Sequence, residues 1–499
     1  MKRWVDILHS FLIALSPVLF LYAHNIEQVL IHDTFLSALI LVGLAIIILA
    51  VFFVTLRSLQ KAAILTSIFL LLFFSYGQLY SLRQEYDLRE RYLVGGLLAS
   101  LAAAFLWLYK TRIGLSRVTR FLNVFAIVFV VFSLVSIGRF KINETSPSVD
   151  TRFGPQVTAT AERPDIYYFL VDGYASQWEL SNFYGNDNKQ FIDYLKQKGF
   201  YVVPESRSNY AKTEFSLSTI LNLDYLEGLS ATGQVSSETI RPPRLLQNHR
   251  VWQFLKPLGY KYFHFGSWWE GTYNNRYADV NVNQGYMPEF PQLLYRSIEQ
   301  FLPFEPAFLD VRRLQWERTL YQFSELPKIP KREDKKPVFV FVHFITHSPF
   351  VFNEDGSFLK NEASKVSDSG KQDYLNQLLF LNKKLEVLVE SILKTSKTPP
   401  IIVIQSDHGS RDTADENVSD ARDYSDEYLR RRLRNFSAFY LPDGGDGSPY
   451  ETITPVNTFR LLFNKYFGTN YEILPNKSFI TLPGSHYDLI DVTERVVYE

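Results

Sequence analysis

The chain of 499 residues contains no cysteine. That absence excludes disulfides, thiolate metal sites and cysteine nucleophiles together, so any bound metal must sit on His, Asp, Glu or hydroxyl oxygen. An excess of charge of one sign is also missing, since 52 Lys and Arg balance 52 Asp and Glu. A surface that tracks phosphate backbones leaves a basic surplus, and its absence argues against nucleic acid as a partner. Internal repeats and low-complexity tracts are lacking as well, which excludes solenoid architectures.

Long hydrophobic runs are present, all in the first part of the chain. They cover Val5 to Ala23, Phe35 to Leu56, Ala62 to Leu82, Tyr92 to Tyr109 and Phe121 to Gly138. Each approaches the roughly 20 residues that a helix needs to cross a hydrocarbon core about 30 Å thick. Buried helices of a soluble bundle would show polar residues at helical spacing, and these runs do not. The first run, preceded by Lys2 and Arg3, could pass for a signal peptide, but no small-x-small cleavage site follows it clearly. Five spans are therefore expected. Placing the N-terminus inside puts Lys2, Arg3, Arg57, Lys61, Lys110, Arg112, Arg117 and Arg120 in the cytoplasm, where basic residues are retained. Everything after Arg139 then lies outside.

The expected organisation is a five-helix membrane domain over 1–139, a polar linker over 140–163 and a single extracytoplasmic domain over 164–499. In the last, short β-branched and aromatic runs alternate with helical patterns such as Asn186 to Lys198 and Gln372 to Leu393. The runs are Asp165 to Val171, Tyr201 to Val203, Tyr260 to Phe265, Val338 to Phe344, Ile401 to Gln405 and Ser437 to Leu441. Continuous apolar strands separated by helices predict an α/β domain whose mainly parallel sheet is covered on both faces.

Ligands of open α/β sheets bind beyond the carboxyl ends of the strands. Three predicted strands end in chemistry: the first in Asp172-Gly173, another in Thr346-His347-Ser348-Pro349, a third in Ser406-Asp407-His408-Gly409. Taken singly, an Asp before Gly is ordinary turn chemistry. Delivered together to one edge, Asp172, Asp407 and His408 make a shell of carboxylate oxygen and imidazole nitrogen suited to a hard or borderline divalent ion.

Asp172-Gly173 after a strand, a hydroxyl residue opening a helix about 40 residues later, and Ser406-Asp407-His408-Gly409 late in the chain resemble the alkaline phosphatase and sulfatase superfamily. Five spans followed by this domain resemble its membrane-anchored branch, the lipoteichoic acid synthases and phosphoethanolamine transferases. The resemblance implies an alkaline-phosphatase-like fold, and a nucleophile at a helix N-terminus that is also a metal ligand. In Ser208 to Ser218 the matching residue is Thr213, with Ser216 three residues on. A Thr before a helical run is also an ordinary N-cap, and the two roles are compatible in position. The resemblance further implies one divalent ion (manganese, zinc or magnesium) on Asp172, Thr213, Asp407 and His408. It implies a membrane lipid as donor of a phosphoglycerol or phosphoethanolamine head group, and an envelope glycan or lipid as acceptor. His347 would contact the transferred phosphate or its leaving group. Residues 259–276 resemble the region where the synthases hold the head group, which nominates His264, Trp268 and Arg276 for substrate binding.

Departures from the pattern narrow the chemistry. The formylglycine route of sulfatases needs Cys or Ser followed by x-Pro-x-Arg, and neither motif is present. Asp172 stands where the synthases carry Glu, and the disulfides of phosphoethanolamine transferases have no counterpart. A second metal site would want a carboxylate four residues before His347 and an Asp near the last helix, whereas His343 and Asn457 occupy those positions. One ion is expected rather than two, with His343 read as a core histidine. His486, in the C-terminal tail, is not expected to be a ligand. The stretch Arg411 to Arg434, with 7 acids and 6 Arg, reads as a solvated face or a lid. A hydrolase of the same fold and a catalytically inactive envelope scaffold remain the alternatives to a transferase.

Overall fold

The computed structural model describes residues 2–27, 29–85, 90–143, 163–230, 232–282, 310–334, 336–363, 367–410, 418, 420–444, 449–482 and 485–497. The chain divides into two compact units, the first covering Met1–Ser146 and the second most of the remainder. Each hydrophobic run of the first unit is a helix: α1 (Leu8–His24), α2 (Thr34–Leu56), α3 (Leu59–Glu85), α4 (Glu90–Lys110) and α5 (Ser116–Asn143). Four of them, α2 to α5, are long and apolar enough to cross a membrane, whereas α1 has 17 residues and is shorter. The five-span expectation is thus supported in part. The chain end and two connections carrying the predicted cytoplasmic charges meet at one end of the bundle. There Gln60 donates to Asp6 Oδ1 and Thr119 Oγ1, and Lys61 donates to the Thr111 carbonyl at 2.8 Å. Helix α5 continues through Phe140 to Asn143, so the expected linker starts later, and its residues 144–162 lie outside the described ones.

The second unit is built on a seven-stranded sheet of order β2-β7-β6-β1-β5-β3-β4. The strands are β1 (Ile166–Asp172), β2 (Tyr201–Val202), β3 (Lys261–Phe265), β4 (Val280–Asn281), β5 (Val338–Ile345), β6 (Ile401–Gln405) and β7 (Ser437–Tyr440). The pairs β1–β5, β1–β6, β3–β5 and β3–β4 are parallel, and only β7 runs antiparallel to its neighbours β6 and β2. Every residue of β1, β5 and β6 is buried, as continuous apolar runs require when both faces are covered.

Successive side chains of β1 feed two separate cores. Tyr167, Phe169 and Val171 pack with α6 (Gln177–Phe183), α7 (Lys189–Gln197) and α10 (Asp368–Thr395). Ile166, Tyr168 and Leu170 pack with α8 (Thr213–Asn222) and α12 (Thr458–Phe467). Two other helices are α9 (Val311–Glu325) and α11 (Asp426–Leu433). A two-stranded antiparallel ribbon, β8 (Phe479–Thr481) with β9 (Leu489–Asp491), lies outside the main sheet.

Candidate active site

The register of the three central strands decides what meets at the carboxyl edge. Asp172 pairs with Ile345, and Leu170 pairs with both His343 and Gln405. Asp172 therefore ends β1 level with the start of Thr346-His347 and close to where β6 releases Ser406-Asp407-His408. Gly173, at φ +75°, turns the chain sharply in a conformation that a Cβ disfavours. Its N–H donates to Asp407 Oδ1 at 3.3 Å, and the next N–H, of Tyr174, donates to Ser406 Oγ at 2.9 Å. The two loops are thus stitched by backbone donors.

Thr213 enters from the layer above this face of the sheet, as the first residue of α8. Its Oγ1 lies 3.3 Å from Asp172 Oδ2 and 3.2 Å from His408 Nε2. Ser216 Oγ donates back to the Tyr210 carbonyl at 2.8 Å and fixes the approach of the preceding loop. His408 Nδ1 donates to the Gly409 carbonyl at 2.7 Å, and its Nε2 lies 3.2 Å from Asp172 Oδ1 and 3.4 Å from Asp407 Oδ2. Gly409 is required by packing: a Cβ there would stand 1.9 Å from the Arg431 carbonyl oxygen.

Asp172, Asp407 and His408 each offer a ligand atom within 4.8 Å of the others, and all three are buried. Asp172 Oδ1 is buried with no hydrogen-bond partner among the described residues. A carboxylate oxygen shielded from water, beside a second carboxylate and an imidazole nitrogen, fits a divalent cation. Burial pushes the Asp172 carboxyl upward, but His347, His343 and His408 outweigh it and hold the group well below the usual carboxylate range. It stays ionised, as a metal ligand must.

The remaining predicted residues divide. His347 belongs to the cluster: its Nδ1 donates to the Ser348 carbonyl, and its Nε2 stands 3.4 Å from Asp172 Oδ1. Trp268 carries a buried indole N–H with no hydrogen-bond partner among the described residues, as a wall with a free donor would. Arg276 lies in the loop after β3, where its backbone N–H donates to Gln247 Oε1. His264 differs from its expected role. It stacks on Phe341 with both ring nitrogens engaged, at 3.1 Å from Tyr262 OH and 2.6 Å from the Thr272 carbonyl, and burial pushes its pKa down to about 4. Substrate contact would break one of those bonds, and the ring serves the β3–β5 packing instead.

Two further residues of the site were not legible in the sequence. His343 shares the Asp172 face of the sheet. Its Nε2 lies 3.1 Å from Asp172 Oδ2, while its Nδ1 lies 2.6 Å from Thr272 Oγ1 and 3.1 Å from Ser267 Oγ. It fixes the carboxylate from behind, and strand register was the only available signal. Arg432, expected on a solvated face, is buried in α11 and donates to the carbonyls of Ser410 and Ala211. It bridges the chain two residues after His408 to the chain two residues before Thr213. Within that charged stretch, residues 411–417 and 419 lie outside the described ones. Asn457, at the position where a second-metal Asp would stand, bonds Leu474 and Tyr450 instead.

No family model matches the chain. No curated protein matches it either. Solved structures do. The C-terminal periplasmic domain of EcEptC from Escherichia coli aligns with 68% of this chain and 96% of its own at 15% identity and a TM-score of 0.44. The integral membrane protein lipooligosaccharide phosphoethanolamine transferase A from Neisseria meningitidis aligns over 93% of this chain and 95% of its own, at 11% identity and a TM-score of 0.39. The chain is similar to these two solved structures. A protein in the alkaline phosphatase superfamily from Vibrio parahaemolyticus aligns over 70% of this chain and 80% of its own, at 13% identity and a TM-score of 0.40. Likeness of this degree leaves the chemistry to be argued from the side chains.

Proposed function

We propose that this chain is a membrane-anchored enzyme of the alkaline phosphatase and sulfatase superfamily that transfers a phosphate-containing lipid head group, of phosphoglycerol or phosphoethanolamine type, to an envelope glycan or lipid. The observation that carries the reading is the Thr213 hydroxyl, within 3.3 Å of both Asp172 and His408 at the N-terminus of a ten-residue helix. A hydroxyl needs an activating partner to become a nucleophile, and an anionic phosphodiester needs positive potential to approach it. The helix N-terminus supplies part of that potential.

Thr213 Oγ1 donates to the ionised Asp172 carboxylate and is thereby aimed outward from the sheet edge. His343 and His347 hold that carboxylate in place, and His347 is positioned to orient the phosphate. Attack by Oγ1 on phosphorus forms the Oγ1–P bond of a phospho-threonine ester and breaks the bond to the diacylglycerol oxygen, which leaves with the electron pair and takes up the proton given up by Oγ1. An acceptor hydroxyl then displaces Oγ1 in a second in-line step. One divalent ion (manganese, zinc or magnesium) held by Asp172, Thr213, Asp407 and His408 would lower the hydroxyl pKa and neutralise phosphate charge. Five spans with the N-terminus inside would place the α/β domain outside the cytoplasmic membrane, where anchoring raises the effective concentration of a lipid donor.

Intact-mass measurement of the full chain, after incubation with vesicles of phosphatidylethanolamine and phosphatidylglycerol, tests this directly. An adduct mapping to Thr213 is expected, absent from Thr213→Ala, whose turnover should fall well below a tenth of the native value. Retention of more than a tenth corresponds to a loss under about 1.4 kcal/mol and would remove Thr213 as nucleophile. A native adduct consumed equally with and without a hydroxyl acceptor would instead favour the hydrolase of the same fold.

A further inference from the structure

The last residues of the chain return to the nucleophile. The β8–β9 ribbon is fastened to the segment that leads into α8: the Phe479 N–H donates to the Asn209 carbonyl, Ser478 Oγ donates to the Ser208 carbonyl, and Phe479 stacks on Tyr210 at 5.3 Å. The connection between the two strands is closed by a bond from the Leu482 N–H to the Asp488 carbonyl at 3.0 Å. It carries His486 onto the first turn of α8, with the ring edge-on to Phe215 at 5.2 Å. His486 there meets both sequence neighbours of Thr213. Its Nδ1 lies 3.0 Å from Lys212 Nζ and its Nε2 lies 3.3 Å from Glu214 Oε1. The His486 side chain is 51% exposed, so the ring is held on one edge and open to solvent on the other.

We propose that His486, polarised by Glu214, is the general base that activates the acceptor hydroxyl in the second half-reaction, and that Lys212 passes between His486 and the phosphate. This inference rests on the phospho-threonine reading above. An ammonium group can only donate, so Nδ1 accepts from Lys212 and the neutral ring carries its proton on Nε2, directed at the Glu214 carboxylate. That arrangement sets the tautomer a general base requires and leaves the carboxylate to stabilise the imidazolium that forms. When the phosphoryl group sits on Thr213, the flexible Lys212 ammonium binds a phosphate oxygen and vacates Nδ1. The acceptor oxygen then attacks phosphorus, its proton passes to His486 Nδ1, and the P–Oγ1 bond breaks with its electron pair kept by Thr213 Oγ1. In the first half-reaction the proton given up by Thr213 Oγ1 is taken up by the departing diacylglycerol oxygen and no acceptor hydroxyl is deprotonated, so His486 is dispensable there.

The full chain and its His486→Gln variant are loaded from vesicles of phosphatidylethanolamine and phosphatidylglycerol, and the decay of the Thr213 adduct is followed by intact mass in buffer containing glycerol as hydroxyl probe. The variant should load to the native extent and decay about a hundredfold more slowly, within the range removed with a general base. Added imidazole should restore part of the decay to His486→Ala, which loss of a merely structural contact would not allow. Glu214→Gln should load and decay at an intermediate rate, and it tests the dyad without cutting the ribbon's ring contacts. Decay at the native rate in His486→Gln, slow decay that imidazole does not restore, or a failure of His486→Gln to load would each overturn the assignment. Absence of a Thr213 adduct from the native chain would remove the phospho-threonine reading first, and this inference with it.

Discussion

At Asp172, burial and charge oppose one another. Desolvation alone would push the carboxyl up, yet His347, His343 and His408 surround it and hold it well below its ordinary range. Three imidazoles on one carboxylate need not have one role, and their second bonds separate them. His408 is locked by the Gly409 carbonyl with Nε2 toward both carboxylates, whereas His343 is tied to Thr272 and Ser267 and acts only through Asp172. Elemental analysis of the purified full chain should find one divalent ion, lost in His408→Ala and kept in His347→Ala despite loss of turnover. Two ions in the native protein and one in His347→Ala would point to a phosphatase-like pair. Gly409 gives a second expectation at this scale. A methyl group 1.9 Å from the Arg431 carbonyl and 2.7 Å from that of Arg434 forces backbone apart. Gly409→Ala should cost about 1–3 kcal/mol of stability, as overpacking does, and should weaken metal retention by displacing His408.

Among the elements, α6 and α11 carry more than their polar sequences suggest. Ser176 caps α6 by accepting from the Glu179 N–H, which points Glu179 into the protein. There it accepts from Ser410 Oγ at 2.6 Å and from Arg431 Nε at 3.2 Å, while Arg431 lies over the Phe183 ring at 3.3 Å. The chain following His408 is thereby clamped between two helices. Burial raises the Glu179 carboxyl, against the opposing pull of Ser410 and Arg431, to about 7 from 4.5. A folded-state value above the unfolded one means that the native protein keeps a proton which the unfolded chain releases. Stability is then greatest at low pH and declines as pH rises between those two values, by up to roughly 3 kcal/mol for this group. Thermal unfolding of Glu179→Gln across pH 5 to 8 should lack that component, with an unfolding temperature above the native one at pH 8. An unchanged pH slope would show that Glu179 is ionised throughout.

For the whole molecule, the side of the membrane on which the α/β domain lies depends less on α1 than a count of spans suggests. Arg57 and Lys61 flank the α2–α3 connection, and Lys110, Arg112, Arg117 and Arg120 flank the α4–α5 connection. These connections are linked at one end of the bundle by the bond from Lys61 to Thr111. If basic residues stay in the cytoplasm, α5 leaves it, and the domain beyond α5 lies outside whether or not the 17-residue α1 spans. A reporter active only in the cytoplasm should therefore be silent when fused after Glu499 and active when inserted between Thr111 and Leu115. A signal from the C-terminal fusion would reverse the orientation. A reporter before Met1 decides the separate question of whether α1 spans.

Hydrophobic runs and strand-end motifs are local properties, and the sequence by itself determined what depends on them. The five apolar helices, the buried strands β1, β5 and β6 and the delivery of Asp172, His347, Asp407 and His408 to one edge follow from runs too apolar to be anything but covered. Thr213 was placed at a helix start by its resemblance to a known pattern, and α8 begins there. Contacts between segments distant in sequence were decided only by the tertiary structure. Whether His343 was core packing or a support for Asp172 turned on the β1–β5 register, which no local pattern encodes. His264 looked available and is consumed by Tyr262 and Thr272, while Arg432 looked solvated and is buried between Ser410 and Ala211. The widest gap is at His486, 273 positions beyond Thr213 in the chain. Only the docking of the β8–β9 ribbon on residues 208–210 brings it beside Lys212 and Glu214, because backbone pairing fixes where a side chain lands regardless of its distance along the sequence.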